Sequence, residues 1–275
     1  MEVISVFTFS GENDMRVSFA FVVMFFCAWT LGAIAEDVKP LKALLVLGGC
    51  CHDYKNQKDI LKKGIEERAQ VEVTIAYDPD SGTKHKNPVY DNPDWYKGFD
   101  VIIHDECSAD VKDLEIINNV ILKPHKDGLP GVVLHCGMHC YRSEGWPKTT
   151  TPWFEFTGLA TTGHGAQLPI EISFVDTESP ITKGLENWKT VNEELYNNIQ
   201  GKLLDTGHAL ARGKQGATDN IVAWTNLYAG KAKVFATTIG HNNATVGDDK
   251  YLDLVTRGLL WSCDKLNDTY LKGKK

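Results

Sequence analysis

Short, unbroken apolar runs alternate with amphipathic stretches through the first half of the chain. Leu41 to Leu47 is almost wholly apolar and stops at Gly48-Gly49. From Asn56 to Ala69 the apolar residues Ile60, Leu61 and Ile65 recur at helical spacing. Val71 to Ala76, Phe99 to His104 and Gly131 to Leu134 are further runs of strand length, and Asp110 to Leu122 reads as a second helix. A long polar loop, Tyr77 to Lys97, separates two of the strands, and loops of that length are often functional. Strands that are apolar throughout are buried on both faces. The β-α-β order therefore predicts a parallel sheet covered by helices on both sides.

Beyond about residue 166 the pattern changes. "LPIEISFVD" alternates as a half-exposed strand does. "NEELY", "HALARG", "NIVAWTNLY" and "AKVFATTIGH" read as further short strands, and Tyr251 to Leu266 as a closing amphipathic helix. With no Pro/Ser-rich linker between the halves, these strands are expected to extend the same sheet in antiparallel fashion.

The N-terminus calls for separate treatment. Met15-Arg16, the apolar run Val17 to Leu31 and the small-residue end Ala33-Ile34-Ala35 form the pattern of a secretory signal peptide. The run is about 15 residues, short of the roughly 20 that a spanning helix needs, so stable membrane insertion is not expected. The expected organisation is a leader over 1–35, with the signal at 15–35, and one domain over 36–275, exported to the periplasm or the exterior. The net charge of −7 gives no reason to expect a nucleic-acid partner. Six cysteines beyond the leader are too few for a disulfide scaffold.

In an open parallel sheet, ligands bind beyond the carboxyl ends of the strands. The first strand ends in "GGCCHDY" with His52 and Asp53, the third in "HDECS" with Asp105 and Glu106, and the fourth in "HCGMHCYR" with His135. His241 follows a later apolar strand and a glycine. These placements predict one polar pocket lined by His52, Glu106, His135 and His241. Asp53 is also a candidate cap for the first helix.

The run "HCGMHC" admits three readings. His135, Cys136, His139 and Cys140 are all able to bind metal, but strand neighbours point to opposite faces, and His135 and His139 share a face only on a helix. A cysteine nucleophile on a strand–turn–helix elbow would stand near Cys136, yet Leu134 and Met138 occupy the positions where small residues are needed. The His-x-Glu of a glutaminase occurs only upstream, as His104 to Glu106. The third reading makes His135 a substrate contact or general base and leaves the thiols structural. The chain holds neither Gly-x-Gly-x-x-Gly nor a P-loop, so no nucleotide cofactor is expected, and no metal is assigned.

Together these pieces resemble the ThuA-like (trehalose-utilisation) family. They are "GGCCHDY", "VVLHC", "TGHGA" with His164, "ESPITKGL", "NEELY" with Glu194 and Tyr196, "VAWTNLYAGKAKVFATTIGHN" with Trp224 and His241, and "GLLW", in order across about residues 41–263. Cys136, and Ala232-Lys233 where relatives often carry Gly-Arg, depart from the pattern. The resemblance implies an α/β, flavodoxin-like three-layer sandwich of the class I glutamine amidotransferase-like type, mostly parallel with antiparallel C-terminal strands. It also implies a bacterial role in carbohydrate use. The expected ligand is a small carbohydrate or oxidised sugar derivative, and a homo-oligomer is compatible with the sequence. His52, His135, Glu194 and His241 are the candidates for acid/base work. Glu106, His164, Tyr196 and Trp224 are the candidates for binding, with Trp224 either a sugar platform or a core residue. A non-catalytic carbohydrate-binding module and a metal-dependent hydrolase are the alternatives.

Overall fold

The computed structural model describes residues 38–199 and 203–273, and the expected leader lies outside them. Nine strands form one sheet: β1 (Leu41–Gly49), β2 (Val71–Asp78), β3 (Val101–Cys107), β4 (Gly131–Leu134), β5 (Leu168–Phe174), β6 (Trp188–Glu193), β7 (Gly207–Gln215), β8 (Thr218–Tyr228) and β9 (Ala232–Thr237). Their order is β2-β1-β3-β4-β9-β8-β7-β5-β6. The first five are mutually parallel and follow the flavodoxin-like order, with β9 in the fifth place. From β9 outward every pairing is antiparallel. The parallel central strands are thus extended by antiparallel C-terminal strands, as expected, because the second half of the chain adds four strands to one edge.

Side-chain alternation divides the core into two layers. Ala43, Leu45 and Leu47 of β1 face the helices α1 (Tyr54–Arg68) and α6 (Asp249–Ser262), packing with Leu61, Ile65, Val255 and Leu259. Leu44 and Val46 face the opposite layer. There a one-turn helix α2 (Leu114–Ile116) runs into a π-turn at Ile117–Ile121. It is followed by the short helices α3 (Lys123–Lys126) and α4 (Pro152–Thr157). The remaining short helix, α5 (Asn243–Val246), follows β9. Among the described residues no helix is long and apolar enough to cross a membrane.

Several boundaries differ from expectation for local reasons. The second helix starts after Asp113, whose Oδ1 accepts the N–H groups of Glu115 and Ile116, rather than at Asp110. Asp53 does not cap α1 with its side chain; its carboxylate accepts from Asn56 and Asn243 instead. "NEELY" is not a strand of its own. β6 ends at Glu193, and Tyr196 makes only an isolated bridge with His164.

Candidate functional site

The carboxyl ends of β1, β4 and β9 bring three histidines together. His52 follows Gly48-Gly49, the last two residues of β1. A Cβ on Gly49 would meet the Cys107 carbonyl oxygen at 2.5 Å, so only glycine allows this approach to β3. His135 is the first residue past β4 and takes φ +39°, a left-handed conformation uncommon for a side chain with a Cβ. Strain of this kind marks functional positions when the surroundings enforce it. The sharp turn after β4 therefore has its strained residue at His135 and not at Cys136. His241 follows Gly240, whose φ of +139° and missing Cβ leave room for His135 Cβ and the Tyr251 hydroxyl.

The rings of His52 and His135 lie edge to face at 4.5 Å between centroids, and those of His52 and His241 at 4.9 Å. Glu194 closes the group. Its Oε2 is 3.4 Å from His135 Nε2, and its Oε1 is 3.3 Å from His164 Nε2 and 3.2 Å from His241 Nδ1. Gln167 Nε2 donates to Glu194 Oε1 at 3.0 Å and lies 3.0 Å from His241 Nε2. Potential donor atoms of His52, His135, Glu194 and His241 all fall within 4.8 Å of one another.

Hydrogen bonding fixes how these groups present themselves. The Thr238 carbonyl, 2.6 Å from His135 Nδ1, can only accept, so Nδ1 carries a proton and Nε2 is the nitrogen that faces the site. The Tyr196 hydroxyl stands 3.2 Å from that Nε2. Burial holds the Tyr196 phenol well above its ordinary range, which keeps it a donor. Burial, reinforced by His135 and His241, pushes His52 down to about 2, so its imidazole is neutral. The Glu194 carboxyl is pulled the other way. Burial would raise it, but the hydrogen bond and charge of His135, with His241 and His164, hold it at about 2. The site therefore presents the Glu194 carboxylate beside the neutral imidazole of His52.

Glu193 fixes the His241 loop. Fully buried, its carboxylate accepts the backbone N–H groups of His241 at 3.0 Å and Asn242 at 2.8 Å. Gln57 of α1 donates to the carbonyls of Gly240 and His241 from the other side. His139 stacks on Tyr196 with centroids 4.3 Å apart and supports it from behind.

Two expected site residues belong elsewhere. Glu106 does not line the pocket. Alternation along β3 turns it into the opposite layer, where it accepts from Tyr90 at 2.7 Å, Tyr141 at 2.8 Å and His104 at 3.0 Å. Trp224 is a core residue, fully buried with its indole N–H donating to the Thr157 carbonyl, and offers no face to a sugar. The remaining expected residues, His52, His135, His164, Glu194, Tyr196 and His241, do meet. Gln167 and Glu193 were not anticipated as site residues. The only available signals were the Gln beside "TGHGA" and the paired glutamates of "NEELY", and neither states a direction.

Three imidazoles and one carboxylate suit zinc or a similar divalent ion. Two features of the ring environment fit that use. His135 is oriented through its second nitrogen by a backbone carbonyl, as metal-binding histidines commonly are. His52 Nδ1 and His241 Nδ1 are buried with no hydrogen-bond partner among the described residues.

Comparisons with known proteins add a family and a fold. The family model described as trehalose utilisation (ThuA) matches residues 42–262. No curated protein sequence matches the chain. A ThuA-like protein from Parabacteroides merdae superposes with a TM-score of 0.64 at 19% identity, over 86% of this chain and 93% of that one. The cold-adapted β-galactosidase of Rahnella sp. R3 gives 0.52 at 12% identity, over 83% of this chain but 32% of the enzyme. The β-galactosidase Gan42B of G. stearothermophilus gives 0.51 at 11%, over 82% and 30% respectively. At these identities the structural likenesses establish the fold alone.

Proposed function

The chain belongs to the ThuA family, and from that premise we propose that it acts on a small carbohydrate or oxidised sugar derivative at a divalent ion held by His52, His135, His241 and Glu194. The observation that carries this reading is the convergence of those four side chains, from four separate segments, on one point within 4.8 Å. A carbohydrate substrate is supported by the family's description as trehalose utilisation. A divalent ion would supply Lewis-acid polarisation of a sugar carbonyl or of neighbouring hydroxyls.

The chain's own groups divide the remaining work. Tyr196, kept protonated and with its hydroxyl 3.2 Å from His135 Nε2, is placed to donate a hydrogen bond to substrate once that nitrogen holds the ion. His164 sits at the mouth with its side chain 35% exposed and its Nε2 against Glu194, so it can exchange protons with solvent. It is the general acid/base in this reading, in an isomerisation, elimination or hydrolysis that needs no nucleotide. A binding module without catalysis is the weaker reading, because Glu194 lies within 3.4 Å of three imidazoles that a mere hydroxyl-binding pocket would not require.

The test has two arms. Elemental analysis of the purified protein should find about one equivalent of a divalent ion. A thermal-shift screen of metal-loaded protein over sugars and keto-sugars should then find a stabilising ligand. Once a substrate is in hand, His164→Ala should retain the ion but lose about 10²–10⁴-fold in turnover. Protein that takes up no ion and responds to no sugar would defeat the proposal.

A further inference from the structure

Four sulfurs lie in a chain whose ends adjoin two site histidines, Cys51 preceding His52 and Cys136 following His135. Cys50 and Cys51 are joined by a disulfide between neighbours in sequence. Cys50 Sγ is 3.4 Å from Cys107 Sγ, the last residue of β3, and Cys107 Sγ is 2.8 Å from Cys136 Sγ, just past β4. Cys51 is exposed and Cys50 half-buried, whereas Cys107 and Cys136 are buried thiols. A structural account as small apolar residues covers a single buried cysteine. It does not account for an outward-facing disulfide with one buried thiol 3.4 Å away and a second buried thiol against the first.

We propose that these residues form a thiol–disulfide exchange site, which passes a disulfide between the exposed pair Cys50–Cys51 and the buried pair Cys107–Cys136. Exchange proceeds by attack of a thiolate on a disulfide sulfur. Cys107, as thiolate, attacks Cys50 Sγ. The Cys107–Cys50 bond forms, the Cys50–Cys51 bond breaks, and Cys51 leaves as a thiolate that takes up the proton given up by Cys107 through solvent. Cys136, as thiolate, then attacks Cys107 Sγ. The Cys136–Cys107 bond forms, the Cys107–Cys50 bond breaks, and Cys50 leaves with the proton that Cys136 lost. Two thiols are oxidised and one disulfide is reduced, so no outside oxidant or reductant is consumed. Small thiols reach the system at Cys51.

The local chemistry assigns the order of attack. Cys136 S–H donates to Cys107, and this bond leads the causes that lower the Cys107 thiol, against its burial and with help from Arg142. Cys136 is the second nucleophile by position, because its sulfur lies against Cys107, and Cys107 is the thiol against the disulfide. Cys140 stands apart: its sulfur donates to the Glu106 carbonyl at 2.9 Å and receives the Ser108 N–H. The inference does not depend on a metal or a sugar at the neighbouring site.

Disulfide mapping tests it on the intact folded protein. Trypsin places Cys50 and Cys51 in peptide 43–55, Cys107 in 98–112, and Cys136 with Cys140 in 127–142. The protein is equilibrated over graded ratios of reduced to oxidised glutathione, acid-quenched, alkylated and digested. A cross-link between 98–112 and 127–142 should appear in molecules whose 43–55 peptide carries two alkylated cysteines. Cys136→Ser should accumulate a link between 43–55 and 98–112 instead, and Cys107→Ser should show neither. The proposal falls if no Cys107 cross-link forms in the unmodified protein at any ratio, or if the link within 43–55 opens while Cys107 and Cys136 remain free thiols. It also falls if reduced protein retains a soft metal ion on these sulfurs. The decisive reading comes from the unmodified chain, so a variant that fails to fold leaves the test intact.

Discussion

Replacing His135 with Ala removes an imidazole oriented by the Thr238 carbonyl, and with it a donor to the proposed ion. Loss of a group that only hydrogen-bonds to a metal ligand and orients it typically costs metal affinity about 10–100-fold. His135→Ala should cost at least that, measured by competition with a chromogenic chelator, while circular dichroism stays unchanged. Acid should act on the same cluster. His52 sits at about 2 against an ordinary 6.5, and His139 at about 3, both through burial first; Glu194 sits at about 2 against 4.5. In every case the unfolded chain binds the proton at a higher pH than the folded one. Stability should therefore be steady above about pH 6.5 and fall as pH drops below it, with the Glu194 share lost from about 4.5 downward. Urea melts across pH 3–8 measure this, and a midpoint that rises on acidification would contradict it. At this scale the sequence was readable where a titratable residue closes an apolar run, as at His52, His135 and His241. It misled at Glu106, because Asp105 and Glu106 are neighbours that alternation sends to opposite layers. Glu193 was invisible as a support because its partners are backbone N–H groups 48 and 49 residues away.

The strand ends and their glycines carry the argument at the level of elements. Gly240 lets β9 deliver His241 beside His135, and a Cβ there would stand 2.9 Å from the Tyr251 hydroxyl and 3.2 Å from His135 Cβ at a φ unsuited to alanine. Gly240→Ala should cost about 1–3 kcal/mol in chemical denaturation and weaken ion binding beyond what that loss explains. An ion affinity equal to wild type would separate this turn from the site. The apolar runs of β1 to β4 and the helical spacing of α1 were legible because burial on two faces and an amphipathic stripe leave distinct periods. The second helix was placed too early: the stretch 110–113 is polar and uninformative, and the Asp113 cap decides the start. The end of β6 was also misread, since "NEELY" has strand-like residues but its glutamates turn inward to serve His241 and the histidine cluster.

Across the whole molecule, the site ties the parallel half of the sheet to the antiparallel half, with His52 and His135 from one and Glu194 from beyond β6 of the other. Ion binding to the folded state alone should therefore stabilise the domain as a unit. With free ion at 100 times the dissociation constant the gain is about 2.7 kcal/mol, and chelator treatment should lower the melting temperature accordingly in calorimetry. An unchanged transition after removal of a bound ion would mean that the ion is peripheral to folding. The α/β class and the single continuous sheet were readable from the order of patterns. The lateral position of β9 was not, because nothing in its own residues names its neighbours. That position matters when the protein is made. The final strand in the sequence fills the centre of the sheet, between β4 and β8. Until it emerges from the ribosome, both of those strands present bare hydrogen-bonding edges, so the growing chain passes through a stage built for pairing with other chains and dependent on being shielded from them.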